Sequence, residues 1–172
     1  MSLTRRSLLA TAAAFPGAAI AAGEEKSGLR ARLPGAWRLL DAVTVFASGV
    51  TGPWYDRPGP YEGLIIYSAS GAMSVQIASA RPAAKSPPAF DDMAAADRLK
   101  YVGTYYAYFG RFEVNDAAHE VHHFVTTSLD PTETGATYVQ KVELARDRLT
   151  LTTQPWSVHN ELRHSRLTWV RD

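Results

Sequence analysis

The chain has 172 residues and a mass of 18.8 kDa, a length typical of one domain. Hydrophobic residues make up 46% of it and charged residues 20%, which is the composition of a globular protein and excludes a disordered chain. Cysteine is absent, which excludes disulfides, thiolate nucleophiles and Cys-based metal sites, and the net charge of +1 is too small to indicate a nucleic-acid-binding surface.

The N-terminal segment has the layout of an export signal. Residues 8–22 carry no charge, are fewer than the ~20 apolar residues of a membrane span, and are interrupted by a Pro-Gly pair. Arg5 and Arg6 precede this run, and small residues precede position 22. We therefore predict a signal peptide over residues 1–21, and the stretch TRRSLL (4–9) resembles a twin-arginine export motif. An ordinary secretory signal and a buried N-terminal helix are the alternatives.

Removal of this signal would leave 151 residues with 16 basic and 17 acidic side chains, and hence a net charge of −1. We expect a periplasmic or secreted protein that has no membrane span after cleavage and no nucleic-acid partner. Residues 22–33 are small and polar and are predicted to form a flexible leader. Residues 34–172 are predicted to form a single folded domain.

From residue 34 onward, apolar and polar residues alternate with the period of β-strands. The predicted strands, in chain order, cover 36–46, 61–68, 72–79, 104–114, 119–128, 137–145, 148–154 and a last strand at the C-terminus. Asp91 and Asp92 are predicted to cap one short helix that ends near Lys100. Short connections favour an antiparallel meander, and closure of eight strands into an up-and-down barrel removes exposed edges. A β-sandwich is the alternative.

Alternation also predicts which side chains face the interior of the barrel. The charged residues of the later strands mark the outer face, so the opposite set faces inward and is mainly apolar, with a few polar groups. Such a mixture is typical of a small-molecule site, although a self-satisfied core network such as Tyr108–His123–Gln140 is the alternative. The predicted lining residues are Tyr67, Met73, Tyr106, Tyr108, Phe112, His123, Tyr138, Gln140 and Trp169. Residues 80–103 are predicted to cover the open end as a lid.

Three of the five histidines are clustered at positions 119, 122 and 123. On a strand, His119 and His123 share a face but lie roughly 13 Å apart, while His122 points the other way. The three rings therefore do not converge as metal ligands must, and we predict neither a metal nor a cofactor. His123 is instead predicted to be an internal hydrogen-bonding group.

No phosphate-binding loop, nucleotide fingerprint or serine-hydrolase motif occurs in the chain. The first functional hypothesis is an exported protein that binds a small apolar or aromatic ligand inside the barrel. The second is an acid–base isomerase, cyclase or dehydratase in which His123 is the base and Tyr108 is the acid or oxyanion donor. The third is an interaction module whose loop tryptophans, Trp54 and Trp156, form a protein-binding surface.

A set of short motifs resembles, in order, the pattern of the bacterial and fungal lipocalin-like domain proteins, which belong with the calycins. The matching segments are Gly35–Leu39 (GAWRL), Gly63–Tyr67 (GLIIY), Ser70–Ser74 (SGAMS), Tyr108–Phe112 (YFGRF), Val121–His123 (VHH), Pro131 to Gly135, Leu149–Thr153 (LTLTT) and Leu167–Arg171 (LTWVR). They extend over nearly all of the predicted mature chain.

The resemblance implies a calycin-type barrel in which Trp37 closes the narrow end and an arginine near the last strand, Arg171 or Arg166, packs over it. It also implies a small-molecule role, because some relatives act as isomerases, cyclases or dehydratases, but it supports the fold far more than any activity. Gln140 stands where the family pattern suggests arginine, which removes a cation from the expected interior.

Overall fold

We describe the protein from a computed structural model, which covers residues 28–79 and 87–172. The predicted signal peptide, the first part of the predicted leader and the first residues of the predicted lid lie outside the described residues. Within the described ranges no helix is both long and apolar enough to cross a membrane.

The described residues form a closed antiparallel barrel of eight strands, with two short strands beside it. The barrel strands are β1 (Gly35–Phe46), β3 (Tyr61–Tyr67), β4 (Ala72–Ser79), β5 (Tyr105–Asn115), β6 (Glu120–Ser128), β7 (Thr137–Ala145), β8 (Arg148–Thr153) and β10 (Glu161–Arg171). The short strands are β2 (Thr51–Pro53) and β9 (Trp156–Val158), which pair with the ends of β1 and β10.

Each barrel strand pairs with the next barrel strand along the chain, from β1 with β3 to β8 with β10. Strand β10 then pairs with β1, which closes the sheet. Closure pairs every barrel strand on both sides, so that none of them is left as an open edge. The predicted eight-stranded up-and-down barrel is therefore confirmed, and the β-sandwich alternative is wrong.

One end of the barrel is closed by a single helical turn, α1 (Leu29–Arg32). Leu29 and Leu33 are buried there, and the Arg30 guanidinium donates to the carbonyl of Val114 at 2.8 Å. The leader predicted over 22–33 therefore differs from the structure in its last part. The physical reason is that leucines four residues apart share one face of a helical turn, which buries them against the barrel.

Trp37 lies at the same closed end and is fully buried. Its indole nitrogen donates to the carbonyl of Leu33 at 2.9 Å, and the Arg171 guanidinium lies 4.0 Å from the centre of its ring. Arg171 also donates to the carbonyls of Pro34 and Arg32, whereas Arg166 is exposed on the outer face. Of the two arginines named as partners of Trp37, Arg171 therefore has this role.

The predicted alternation holds along the middle of the strands. On β5, Tyr108, Gly110 and Val114 are buried, while Phe109, Arg111 and Glu113 are exposed. The alternation fails at strand ends: the period of two that turns His123 inward predicts the same for His119 and Thr127, and both are exposed. His119 precedes β6 in a turn with a φ of 52°, so the strand period does not apply to it.

The longer of the two α-helices in the described residues, α2 (Ala95–Gly103), leaves the barrel between β4 and β5, opposite the closed end. It begins later than predicted, because Asp91 and Asp92 lie in a separate 3₁₀ turn and the N-cap residue is Ala94. None of its residues is buried, and Leu99 is 74% exposed.

Candidate functional site

A cavity of about 360 Å³ lies at the open end of the barrel, opposite α1. Strands β3, β5, β6, β7, β8 and β10 form its walls, and residues from β9 and from the loop before β3 cover it. Among the described residues, seven aromatic side chains line it: Trp54, Tyr55, Tyr106, Tyr108, Tyr138, Trp156 and Trp169. The remaining walls combine aliphatic residues such as Ile65 and Leu151 with small polar ones such as Thr153 and Ser165.

The cavity wall contains a fully buried polar group, His123, whose ring nitrogens are both hydrogen-bonded. Its Nε2 lies 2.8 Å from the hydroxyl of Tyr67, and its Nδ1 lies 2.7 Å from the hydroxyl of Tyr108. All three residues are buried. Strand alternation brings them together, since β3, β5 and β6 each turn every second side chain inward.

Burial lowers the pKa of His123 to about 3, with a smaller contribution from the charge of the neighbouring His122. The ring is therefore neutral at physiological pH and carries one N–H, so one tyrosine donates to it and the other accepts from it. Burial also raises the pKa of Tyr67 and of Tyr108 well above the ordinary value, which keeps both hydroxyls protonated.

The direction of this hydrogen-bonded chain follows from the surroundings of its two ends. No further partner for the Tyr67 hydroxyl occurs in the described part of the chain, so its O–H is assigned as the donor to Nε2. The Nδ1–H of His123 then donates to Tyr108, which leaves the Tyr108 O–H free to donate elsewhere. Tyr108 lines the cavity beside Gln140, with which its hydroxyl also has a hydrogen bond, so its O–H is a candidate donor to a molecule bound there.

Two other polar atoms of cavity-lining residues have no hydrogen-bond partner among the described residues. They are the side-chain oxygen Oε1 of Gln140, an acceptor, and the indole N–H of Trp169, a donor. Both residues are buried, at 7% and 1% exposure. Buried polar groups are nearly always paired in folded proteins, so water or a bound molecule is the expected partner of these two.

The cover of the cavity comes from a 3₁₀ turn, Trp54–Asp56, that follows β2. Trp54 is 2% exposed, and its indole N–H donates to the Ser165 hydroxyl at 3.1 Å. Tyr55 follows with a φ of 49° and stacks on the ring of Trp156 at 5.2 Å between centroids. A positive φ is unfavourable for a tyrosine, so the surrounding contacts must hold it over the cavity.

These positions bear on the hypothesis of a protein-binding surface at Trp54 and Trp156. Trp54 is buried, and Trp156 is half-buried against Tyr55, so neither offers the exposed aromatic area that such a surface needs. The two tryptophans instead line the cavity.

Six of the nine predicted lining residues surround the cavity: Tyr106, Tyr108, His123, Tyr138, Gln140 and Trp169. The other three, Tyr67, Met73 and Phe112, do not line it. Tyr67 and Met73 are buried nearer the closed end, where Tyr67 packs edge-on against Phe112 at 4.8 Å. They face inward as predicted, but Tyr67 and Met73 belong to the buried core and Phe112 packs against it.

The sequence predicted Trp54 and Trp156 only as a protein-binding surface, and it did not identify Tyr55 or Ser165 at all. Residues 48–60 have the composition of a loop, and a loop has no period from which a direction can be predicted. The available signal was a pair of adjacent aromatic residues, Trp54 and Tyr55, inside a segment rich in glycine and proline.

The predicted lid contributes less to the site than expected. Residues 87–103 include no residue that lines the cavity, although they leave the barrel at the cavity end. The described residues also contain no group of three His, Asp or Glu side chains placed to hold a metal ion. His122 contacts Glu120 at 3.3 Å on the outer face, away from His123.

The acid–base hypothesis needs His123 and Tyr108 to share one pocket, and both do line the cavity. To act as the base directly, His123 would also need a free ring nitrogen that a ligand could reach. The ring contributes to the cavity wall, but tyrosine hydroxyls occupy both of its nitrogens and its pKa favours the neutral form. His123 is therefore placed to orient Tyr108 rather than to take a proton from a bound molecule directly.

Comparison with known proteins is consistent with this geometry. A search of curated proteins found no match. Residues 34–172 match the family model described as the lipocalin-like domain. That range begins just before β1 and includes every strand of the barrel, together with the Trp37–Arg171 pair at its closed end. The chain therefore belongs to the lipocalin-like domain family.

Proposed function

We propose that this protein binds a small organic molecule with an apolar or aromatic body inside the barrel. The cavity of about 360 Å³ supports this proposal, because ligand pockets generally occupy ~300–1,000 Å³ and are lined by hydrophobic and aromatic side chains with a few polar groups. The lipocalin-like fold is also suited to this role, since an eight-stranded barrel has room for one small ligand.

Three polar groups would orient the ligand within this aromatic site. The Tyr108 hydroxyl and the Trp169 indole N–H are donors, and Gln140 Oε1 is an acceptor. A ligand that carries a carbonyl or hydroxyl group would supply the partners that Gln140 Oε1 and the Trp169 N–H lack in the described residues. Such pairing favours binding because buried polar groups left without a partner cost about 1–3 kcal/mol each.

Fluorescence titration of the purified chain with N-phenyl-1-naphthylamine, a neutral aromatic dye, tests binding. We expect saturable binding that is weakened at least tenfold by Leu151→Trp, because Leu151 lines the cavity and the larger ring would fill it. Leu162→Trp is the matched control, since Leu162 is 56% exposed on the outer face, and it should bind like the parent.

Circular dichroism identifies variants that fail to fold, and Leu151→Phe is the milder substitution if Leu151→Trp does so. Equal binding by Leu151→Phe, Leu162→Trp and the parent would place the dye outside the barrel and contradict the proposal. So would the absence of binding to this dye and to a panel of other small aromatic compounds.

Export of the protein is part of the same proposal. It is supported by the twin arginines, the uncharged run and the small residues that precede position 22. Cell fractionation of the full chain tests it, with mass spectrometry to read the mature N-terminus. We expect cleavage after residue 21 and retention of the Arg5→Lys/Arg6→Lys variant. An uncleaved cytoplasmic chain would contradict export without affecting the binding proposal.

A further inference from the structure

A carboxylate without a basic partner lies beside the cavity, where it is hydrogen-bonded to the lining residue Tyr106. Glu133 lies in the loop between β6 and β7, and its two oxygens accept hydrogen bonds from the hydroxyls of Tyr106 at 3.2 Å and Ser128 at 2.7 Å. Both donors are neutral. No Lys, Arg or His nitrogen in the described ranges lies within 4.0 Å of this half-buried carboxylate.

Aromatic rings lie directly behind this carboxylate. The ring of Tyr106 packs against those of Trp54, Tyr55 and Tyr108, with centroids 5.3, 6.3 and 5.7 Å away. The faces of aromatic rings carry partial negative charge and attract organic cations. No described lining residue carries a positive charge at neutral pH, because His123 is neutral and the others are aromatic, aliphatic or uncharged polar residues.

One cation already lies against these rings from outside the cavity. The guanidinium carbon of Arg57 is 5.7 Å from the ring centre of Trp54 and 5.6 Å from that of Tyr106. Its Nη1 is buried without a hydrogen-bond partner among the described residues, so the ring faces are its main contacts. Arg57 does not line the cavity, but it shows that this cluster accommodates a positive charge.

The negative charge of Glu133 also acts on the tyrosines that line the cavity. Burial is the main cause of the raised pKa values of Tyr55, Tyr106, Tyr108 and Tyr138, and the charge of Glu133 adds to all four. Arg57 opposes the rise at Tyr55, where its contribution is smaller than that of Glu133. A field that disfavours a phenolate favours a cation in the same place.

We infer that the cavity takes a ligand that bears a positively charged amine or ammonium group, which lies against Tyr106 with Glu133 as its counter-ion while the apolar body enters the barrel. The inference rests on the proposed small-molecule binding and specifies the class of ligand. An anionic ligand should bind weakly, because Glu133 and the faces of the aromatic rings would repel its charge.

Three compounds that differ only in their terminal group test this inference: 4-phenylbutylamine, 4-phenylbutanol and 4-phenylbutyrate. Each is titrated at pH 7 against the protein loaded with N-phenyl-1-naphthylamine, and loss of dye fluorescence gives its affinity. We expect the amine to bind about tenfold more tightly than the alcohol, and the carboxylate to bind most weakly. Added salt should reduce the advantage of the amine more than it changes the affinity of the alcohol.

The Glu133→Gln variant identifies the source of that preference. Its amide oxygen still accepts from one of the two hydroxyls, and the other hydroxyl can rotate to accept from the amide N–H. The charge is removed, so the amine should lose most of its advantage while the affinity of the alcohol stays within about twofold. Glu143→Gln is the matched control, because Glu143 is an exposed carboxylate on the outer face of β7. It should leave all three affinities unchanged.

The outcomes separate this inference from the function on which it rests. If the dye binds but the amine displaces it no better than the alcohol or the carboxylate, the inference is wrong and the binding function stands. Failure of all three compounds to displace a bound dye also overturns it, as does an amine preference that persists in Glu133→Gln. If no small aromatic compound binds, both proposals fail.

Discussion

His123 combines a neutral ring, complete burial and two tyrosine partners, and these properties depend on one another. A charged imidazolium would have to be desolvated in the barrel, so burial favours the neutral form. The neutral form in turn has one donor and one acceptor nitrogen, which matches Tyr108 on one side and Tyr67 on the other. The three residues therefore stabilise the barrel only while the ring is unprotonated.

This leads to a prediction for stability against pH. The pKa of His123 falls from an ordinary 6.5 to about 3 in the folded chain, so between these values the unfolded chain binds more protons. The free energy of unfolding should therefore fall as pH is lowered from about 6.5 towards 3, by on the order of 4 kcal/mol in total. Above pH 7 this group should contribute no pH dependence.

Urea unfolding of the parent, His123→Gln and His122→Gln at several pH values measures this effect. The His123→Gln variant should be less stable at pH 7 and should lose the acid-dependent part, whereas His122→Gln, altered on the outer face of the same strand, should retain it. Identical pH profiles for the parent and His123→Gln would show that this histidine does not control acid stability.

For individual residues, the sequence predicted which way a side chain points better than it predicted the side chain's hydrogen-bond partners. Alternation on β5 and β6 correctly turned Tyr108 and His123 inward, and their proximity was expected. The bond from His123 to Tyr67 was not expected, because Tyr67 lies 56 residues earlier in the chain. The alternative of a self-satisfied core network included Gln140; its side chain does hydrogen-bond to Tyr108, but its Oε1 has no described partner.

Strand β5 contains a bulge that its own sequence explains poorly. Its pairing with β6 shifts by one residue between Phe109 and Gly110, which forms a bulge. At Gly110 a Cβ atom would overlap the carbonyl oxygen of Phe124 on the neighbouring strand. Glycine is required there by the close approach of two backbones rather than by its own φ angle.

We predict that Gly110→Ala lowers the free energy of unfolding by on the order of 3 kcal/mol or prevents folding, because the strands must separate to admit the methyl group. The control is Gly103→Ala at the end of α2, where a Cβ meets nothing within 4 Å. That change should be neutral or stabilise by up to about 1 kcal/mol. Chemical denaturation measures both, and a Gly110→Ala variant as stable as Gly103→Ala would contradict the bulge.

The predicted elements agree with the structure where the pattern is periodic and differ where it is not. The strands over 72–79 and 137–145 have the predicted bounds. The turn of α1 was predicted to be a leader, because four residues are too few for a helical period to be recognised. The helix cap at Asp91 and Asp92 was misplaced because these aspartates begin a separate 3₁₀ turn.

For the molecule as a whole, the two ends of the domain form the closure of the barrel. β1 and β10 pair along most of their length, with Trp37 opposite Arg171. Arg171 covers the indole ring and donates to carbonyls of the segment that leads from α1 into β1. One side chain from the last strand thus joins the first strand and the helical turn that closes the barrel.

Removal of the Arg171 side chain should destabilise the fold more than removal of a surface arginine from the same strand. We predict that Arg171→Ala lowers the free energy of unfolding by about 2 kcal/mol, from loss of the cation–π contact and of two charged hydrogen bonds. Arg166→Ala, on the outer face of the same strand, should change it by less than about 0.5 kcal/mol. Thermal or urea unfolding compares them, and equal losses would mean that Arg171 acts only as a surface charge.

The sequence by itself determined the strand pattern and the inward faces, because these depend on a period of two residues that each strand carries locally. The lipocalin-like class was indicated separately, by the resemblance of its ordered motifs to those of the family. Only the tertiary structure decided which part of the interior stays open. Tyr67, Met73 and Phe112 pack together near the closed end, whereas Trp54, Tyr55 and Trp156 cover a cavity at the other. The physical reason is that open volume depends on how side chains from distant strands and loops fill a shared space.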